Sequence, residues 1–250
     1  MTPGSLLTQR RAPSPNFEPR RPGAAIDILL LHYTGMACCD KAVSWLAAPE
    51  SRVSSHYVID EDGVIIQMVA EDMRAWHAGV AHWAGVDDVN SHSIGVEIHN
   101  PGHGPDYRDF PEAQMRAVEA LCLDIVARYP VPPSRVLGHS DVAPRRKRDP
   151  GERFDWARLA RAGVGHWVEP APIGDDEGLG LGDFGPAVLR LQRQLRAYGY
   201  WIEAHALYDE HTEIVVAAFQ RHFRPALVDG RADASTIDTL DRLILSRSSA

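Results

Sequence analysis

The sequence predicts a mixed α/β domain, in which helices flank a central sheet, followed by a small all-α domain of three helices. Between residues 25 and 165, short apolar runs alternate with amphipathic helical stretches, as expected for a mixed sheet covered by helices. The following stretch, EPAPIGDDEGLGLGD, has the Gly, Pro and acidic composition of a linker. Beyond it, apolar residues recur at helical spacing in three short stretches, which suffice for a small bundle.

These patterns divide the chain into four parts. Residues 1–24, which carry four arginines among Pro, Ser and Gly, form an N-terminal arm that we expect to be loosely ordered. The α/β domain occupies residues 25–165, the linker residues 166–182, and the helical domain residues 183–250.

The first half of the α/β domain contains four predicted elements. The continuous apolar run at residues 28–31 indicates a strand that is covered on both faces. Residues 40–47 are typical of a short helix, with Asp40 as its N-cap. Residues 56–59 and 64–69 indicate two strands, and the acidic turn ending in glycine between them favours a hairpin.

The second half contains four more. Residues 93–99 indicate a strand whose alternation places Glu97 on the face opposite the apolar side chains. Residues 111–129 carry one apolar helical stripe. A strand at residues 136–139 and a closing helix at residues 155–162 complete the domain.

The composition argues against two classes of partner. A formal net charge of -8 does not suit a nucleic-acid binder, which presents basic groups to phosphates. No run of 18 apolar residues occurs, so membrane insertion is not expected. The sequence leaves the oligomeric state open.

Two features bear on the cellular compartment. No apolar stretch follows the charged start of the chain, so no secretory signal is visible. We therefore expect a cytoplasmic location, with the periplasm or cell envelope as the alternative. Cys38, Cys39 and Cys122 are odd in number and two of them are adjacent, so no disulfide framework is expected.

Three residues are candidate ligands for one metal ion. His32 ends the first strand in LLLHYTG, His139 ends a later strand in VLGHSDVAP, and Asp149 lies ten residues further on in RRKRDPG. Two imidazoles and one carboxylate leave a fourth tetrahedral position open, as a catalytic zinc requires. From residue types alone, a histidine such as His32 is more often a hydrogen-bonded core or surface residue, and that alternative stays open.

Five segments together resemble the zinc-dependent N-acetylmuramoyl-L-alanine amidases of the type 2 family. In chain order they are LLLHYTG, SSHYVIDEDGVIIQMV, AWHAG, NSHSIGVEIHN and GHSDVAPRRKRDPG. The resemblance spans about residues 13–160, and its most specific part is HSDVAP together with Lys147 and the DPG that follows. It implies the peptidoglycan recognition protein-like amidase fold and one Zn²⁺ per chain, held by His32, His139 and Asp149.

The resemblance also implies a reaction. A zinc-activated water would hydrolyse the amide bond between N-acetylmuramic acid and L-alanine in peptidoglycan or muropeptides. Glu97 matches the general base of the family, and Lys147 matches the lysine that stabilises the oxyanion. Some members of the family use a tyrosine just before the histidine of the second segment, here SSHYVIDEDGVIIQMV. Ser55 stands there in this chain, so His56 and Tyr57 inherit no such role.

Substrate-binding residues are implied less specifically. Trp76 and His77 match a segment that lines the substrate groove, although a structural hydrogen bond is an equal possibility for His77. Arg146 lies in a basic run at residues 145–148, which could pair with stem-peptide carboxylates or be a solvated loop. We expect the remaining histidines of this domain to lie at the surface or in loops; they are His82, His92, His99 and His103.

The C-terminal segments resemble a three-helix peptidoglycan-binding module, through LQ…L…YGY, YD…T…V…FQ and DG…D…T…L. Such a module would hold the enzyme on its polymer and raise the local substrate concentration. The alternative is a bundle that only packs on the first domain or dimerises.

For the whole chain, a non-catalytic peptidoglycan sensor on the same fold and a zinc hydrolase acting on other small amides are the competing functions. Sensors of this type typically lose a metal ligand.

Overall fold

The computed structural model describes residues 4–247. Its main sheet has six strands in the order β1-β5-β4-β7-β3-β8. These are β1 (Arg10–Arg11), β3 (Ile28–Tyr33), β4 (Tyr57–Ile59), β5 (Ile65–Gln67), β7 (Ser93–Ile98) and β8 (Val136–Gly138). Strands β4, β7, β3 and β8 run parallel, whereas β5 is antiparallel to β4 and forms the predicted hairpin. A second sheet pairs β2 (Phe17–Pro19) with β6 (Met73–Ala75).

Eight α-helices accompany the sheets over the described residues. In the α/β domain they are α1 (Cys39–Leu46), α2 (Val89–His92), α3 (Glu112–Arg128), α4 (His139–Val142) and α5 (Trp156–Arg161). The C-terminal bundle consists of α6 (Pro186–Tyr198), α7 (Glu210–Phe223) and α8 (Ala234–Arg247). The mixed α/β class and the three-helix domain are thus confirmed. Within this part of the chain, no helix has the length and apolar character needed to cross a membrane.

Alternation along β3 separates two cores, because successive side chains of a strand point to opposite faces. Leu29 and Leu31 belong to a core that includes the apolar stripe of α3. Ile28 and Leu30 belong to a second core, which continues through Trp83 into the C-terminal bundle. The Trp83 ring packs edge-on against Tyr200, with centroids 4.9 Å apart. The bundle therefore shares a core with the α/β domain.

The N-terminal arm departs from the sequence prediction. Instead of being loosely ordered, it forms β1 and β2, which pair with β5 and β6. The guanidinium of Arg20 donates to four backbone carbonyls, those of Glu71, Asn90, Ser91 and Ser93. Strand edges offer unpaired backbone groups, and the arm satisfies them. Local composition cannot reveal this, since the partners lie more than 50 residues away.

Two helix starts also differ from the predictions. Cys38, not Asp40, occupies the N-cap position of α1, and Asp40 lies in the first turn, where its charge suits the helix dipole. His139 does not end β8; it is the first residue of α4. The Asp141 carboxylate accepts the backbone N–H of Gly138 at 2.7 Å and thereby caps the first turn of α4. All three cysteines are free in the structure.

Candidate metal centre and its cleft

The three predicted metal ligands converge at the ends of two neighbouring strands. His32 lies in β3, and His139 directly follows β8, which pairs with β3. The Nδ1 atoms of the two rings are 2.9 Å apart, and each lies 3.1 Å from Oδ2 of Asp149. All three side chains are buried. The backbone N–H of Ser140 donates to the carbonyl of Asp149, which ties the third ligand to the turn that carries the second.

The hydrogen bonds behind His139 determine which ring nitrogen faces the centre. Its Nε2 lies 3.0 Å from the carbonyl of Ala78, which can only accept, so Nε2 carries the hydrogen. In the neutral ring, the Nδ1 lone pair then points towards Asp149.

A longer chain of hydrogen bonds determines the same for His32. The Ser93 hydroxyl donates to the Val89 carbonyl, so it accepts from Nε2 of His77. Nδ1 of His77 is then an acceptor and receives the Nε2 hydrogen of His32 at 3.1 Å. Burial, followed by the charge of His139, lowers the pKa of His32 to about 4, so this ring is neutral at pH 7.

This arrangement fits a divalent metal ion. Two imidazole lone pairs and a carboxylate oxygen face one another at distances where they would repel without a cation between them. The three ligand atoms lie within 4.8 Å of one another. Outer hydrogen bonds from the far nitrogens of both histidines orient the rings, as is usual in metal sites.

Glu97 lies beside this centre. It is directly opposite His32 in the pairing of β3 with β7, so both side chains project from the same face of the sheet. Its Oε2 atom is buried and has no hydrogen-bond partner among residues 4–247. Burial, followed by the negative charge of Asp149, raises the pKa of Glu97 well above 4.5, while Lys147 opposes the shift. An unpartnered buried carboxylate of this kind is typical of a catalytic site.

A cleft of about 290 Å³ opens over these residues. Glu97, Lys147 and Asp149 line it together with Trp76, whose indole Nε1 is buried without a partner within the described chain. Lys147 also makes no side-chain ion pair within that part. The Lys147 ammonium is therefore free to bind a molecule in the cleft.

Two predicted substrate-binding residues are engaged within the protein instead. Both ring nitrogens of His77 are hydrogen-bonded, one to His32 and the other to Ser93, although the residue also lines the cleft. The guanidinium of Arg146 donates to the carbonyls of Ala78 and Val80 and holds that loop. Direct substrate contact by either residue stays a prediction.

One set of contacts behind the cleft was not predicted from the sequence. His103, expected to lie in a loop or at the surface, accepts from the hydroxyl of Tyr33 and donates to Glu152, both at 2.9 Å. Burial alone would raise the pKa of Glu152, but several smaller effects, of which the hydrogen bond from His103 is the largest, together outweigh burial and lower this pKa to about 2. Tyr33 lines the cleft. No local pattern reveals this, because the three residues come from separate loops and strands.

Comparison with known proteins agrees with this geometry. The N-acetylmuramoyl-L-alanine amidase family matches residues 22–152, and the peptidoglycan binding domain family matches residues 184–240. N-acetylmuramoyl-L-alanine amidase AmiD of Escherichia coli is 36% identical over 225 residues, which cover 84% of this chain and 79% of that protein. The 1,6-anhydro-N-acetylmuramyl-L-alanine amidase AmpD of Citrobacter freundii is 34% identical, over 62% of this chain and 90% of its own.

A solved structure extends the similarity to the whole fold. It is the complex of E. coli AmiD with anhydro-N-acetylmuramic acid-L-Ala-D-gamma-Glu-L-Lys, and it matches with a TM-score of 0.77 and 32% identity over 92% of this chain and 94% of that one. Both the α/β domain and the helical bundle are thus found together in a relative. The chain belongs to the N-acetylmuramoyl-L-alanine amidase family, and its C-terminal bundle matches the peptidoglycan binding domain family.

Proposed function

We propose that this chain binds one Zn²⁺ through His32, His139 and Asp149 and hydrolyses the amide bond between N-acetylmuramic acid and L-alanine. The observation that carries the proposal is the convergence of three buried ligand atoms beside the unpartnered carboxylate of Glu97. Two imidazoles and a carboxylate leave room for a water in a tetrahedral zinc site. The non-catalytic sensor is disfavoured, because the ligand set is complete.

Zinc, when bound, lowers the pKa of water to about 7 and polarises a carbonyl oxygen. Glu97 takes the proton of the attacking water and delivers it to the alanine nitrogen as the C–N bond breaks. The Lys147 ammonium donates to the oxygen of the tetrahedral intermediate, where negative charge develops. The products are the lactyl carboxylate of the sugar and a peptide with a free alanine amine.

We draw the substrate class from the relatives and from the charges beside the cleft. AmiD was solved with an anhydro-muropeptide, and a muropeptide or a strand of peptidoglycan is the substrate that we propose here. Arg145 and Arg148 are exposed and make no ion pair among residues 4–247. They are available for the carboxylates of a stem peptide, which arginine binds well. The C-terminal domain would hold the enzyme on polymeric substrate.

Mass spectrometry of the products tests this proposal. Intact sacculi and anhydro-muropeptides are incubated with the zinc-loaded protein, and we expect free stem peptides with an N-terminal alanine and glycan with free muramoyl ends. Removing the metal with a chelator should abolish the release, and adding Zn²⁺ should restore it. Full activity of the metal-free protein or of His139→Ala would refute the proposal. Cleavage of other small amides, with muramoyl-alanine bonds left intact, would favour a different hydrolase.

We also propose a cytoplasmic location, with the periplasm or cell envelope as the alternative. Fractionation of cells that express the chain with a C-terminal tag tests it. Recovery with a periplasmic or envelope marker would replace the proposal with its alternative.

A further inference from the structure

A buried hydrogen-bond cluster joins the C-terminal bundle to the turn that carries His139. At its centre is Asp141, whose side chain is fully buried. Its Oδ1 accepts from the hydroxyl of Tyr200 at 2.7 Å, and its Oδ2 accepts from Nδ1 of His222 at 2.7 Å. The third donor is the backbone N–H of Gly138, also at 2.7 Å. Two of the three donors therefore come from the C-terminal bundle.

The same carboxylate fixes the backbone that presents two metal ligands. By accepting from Gly138, Asp141 closes the first turn of α4, and His139 is the first residue of that turn. The next residue, Ser140, donates its N–H to the carbonyl of Asp149. A shift of Asp141 would thus move His139 directly and Asp149 through one hydrogen bond.

The surroundings leave the cluster little freedom. The His222 ring stacks on Trp156 with centroids 3.7 Å apart. Gly138 is so close to Pro150 that an added Cβ would lie 2.8 Å from Cδ of the proline. Burial, followed by the charge of Asp141, raises the pKa of Tyr200 well above 10, so its hydroxyl stays a donor. A buried carboxylate that loses a donor keeps the cost of its desolvation without compensation, so the turn should relax to find another partner.

We infer that Tyr200 and His222 are positioning residues of the metal centre, which makes the C-terminal domain part of the amidase site as well as a polymer-binding module. They act through Asp141, which holds the turn bearing His139 in the geometry that closes the ligand set. This inference rests on the proposed function for the identity of the ion. It assigns the bundle a role in hydrolysis even of small, soluble muropeptides, for which a polymer anchor is of no use.

Two full-length variants test the inference. Tyr200→Phe and His222→Phe each keep an aromatic ring in place and remove one donor to Asp141. Tyr208→Phe is the matched control, because its buried hydroxyl donates to the carbonyl of Gly230 inside the bundle. Zinc affinity is measured by competition with a chromophoric chelator, turnover with a soluble anhydro-muropeptide, and stability by urea unfolding.

We expect Tyr200→Phe and His222→Phe to weaken zinc binding by about 10-fold, the lower end of what loss of an outer partner causes in metal sites. Turnover at subsaturating zinc should fall as the zinc affinity falls. Tyr208→Phe should lose comparable stability and keep the zinc affinity of the wild type. If all three variants lose stability alike and bind zinc like the wild type, the cluster is only a packing contact and the inference is wrong. Failure of the wild type itself to bind zinc would instead refute the proposed function.

Discussion

His77 accepts a hydrogen bond from His32 and thereby holds a metal ligand from behind. The two rings meet edge-on, and Nε2 of His32 lies 3.1 Å from Nδ1 of His77. The far side of His77 is bonded to Ser93, whose own hydroxyl is committed to Val89. Each donor in this series of hydrogen bonds has a single acceptor. The Nδ1 lone pair of His32 is therefore directed at the metal position.

Replacement of His77 should therefore act on the metal and not on the substrate. We expect His77→Phe to weaken zinc binding by about 10- to 100-fold, because the orienting acceptor of His32 is lost. Chelator competition measures the affinity, and KM for a muropeptide is measured at saturating zinc. A raised KM with unchanged zinc affinity would return His77 to the role of a substrate contact.

Gly95 leaves the space in which the His77 ring sits. A Cβ at this position would lie 2.5 Å from Cγ of His77, so Gly95→Ala should displace the ring and loosen His32. We expect a loss of zinc affinity together with a loss of stability of about 1–3 kcal/mol, as for other overpacked cores. Gly104→Ala is the control, since its Cβ would meet nothing closer than 4.0 Å. Equal zinc affinities for the two variants would contradict this account.

Glu97→Gln should separate catalysis from metal binding. The amide has the shape of the carboxylate but cannot take a proton, so kcat should fall by about 10²- to 10⁴-fold. Zinc content should stay that of the wild type, because Glu97 is not among the ligands. Metal analysis and single-turnover kinetics on the same preparation provide both measurements. A variant that keeps most of the wild-type rate would exclude Glu97 as the base.

The exposed cations beside Asp149 predict a preference for charged stem peptides. Arg148→Ala should raise KM for stems with free carboxylates and leave KM unchanged for amidated stems, since only the former offer a partner to the guanidinium. Steady-state kinetics with matched pairs of muropeptides measure the difference. Equal increases for both substrates would show that Arg148 acts on the loop and not on the stem.

The metal-free protein should lose stability in mild acid. Burial lowers the pKa of His32 to about 4, and burial followed by the charge of Arg20 lowers that of His56 to about 3. Histidine pKa values in the unfolded chain are near 6.5, so below this pH the unfolded state binds more protons than the native state does. The stabilisation is therefore complete above about pH 6.5 and falls as the pH drops towards these values, by up to about 1.4 kcal/mol per pH unit for each residue.

Urea unfolding in the presence of a chelator, between about pH 6.5 and pH 5, measures this slope before most carboxylates titrate. His205→Gln, at an exposed position, is the control and should retain the slope. In Glu97→Gln, which lacks the raised carboxyl pKa that acts in the opposite direction, a free energy of unfolding that does not change across this range would contradict the buried, neutral state of the two histidines.

Much of the fold and the ligand set could be predicted from the sequence, for reasons of local periodicity and motif. The alternation of the strand at residues 93–99 placed Glu97 opposite the apolar face, and Ile94 and Val96 are indeed in the core. Residue types, motifs and the family resemblance together identified the candidate metal ligands, and the structure brings these ligands together; they are His32, His139 and Asp149.

By itself, the sequence determined most strands of the main sheet and the long helices, because side-chain periodicity reports the environment of each residue along its own helix or strand. The candidate metal ligands followed from residue types and motifs. Only the tertiary structure decided which groups form hydrogen bonds that support the metal ligands and the N-terminal arm. Asp141 is bonded to partners 59 and 81 residues away, and Arg20 of the supposedly loose arm reaches carbonyls more than 50 residues distant. Such bonds depend on how the elements pack, and packing brings together residues whose local sequences carry no sign of one another.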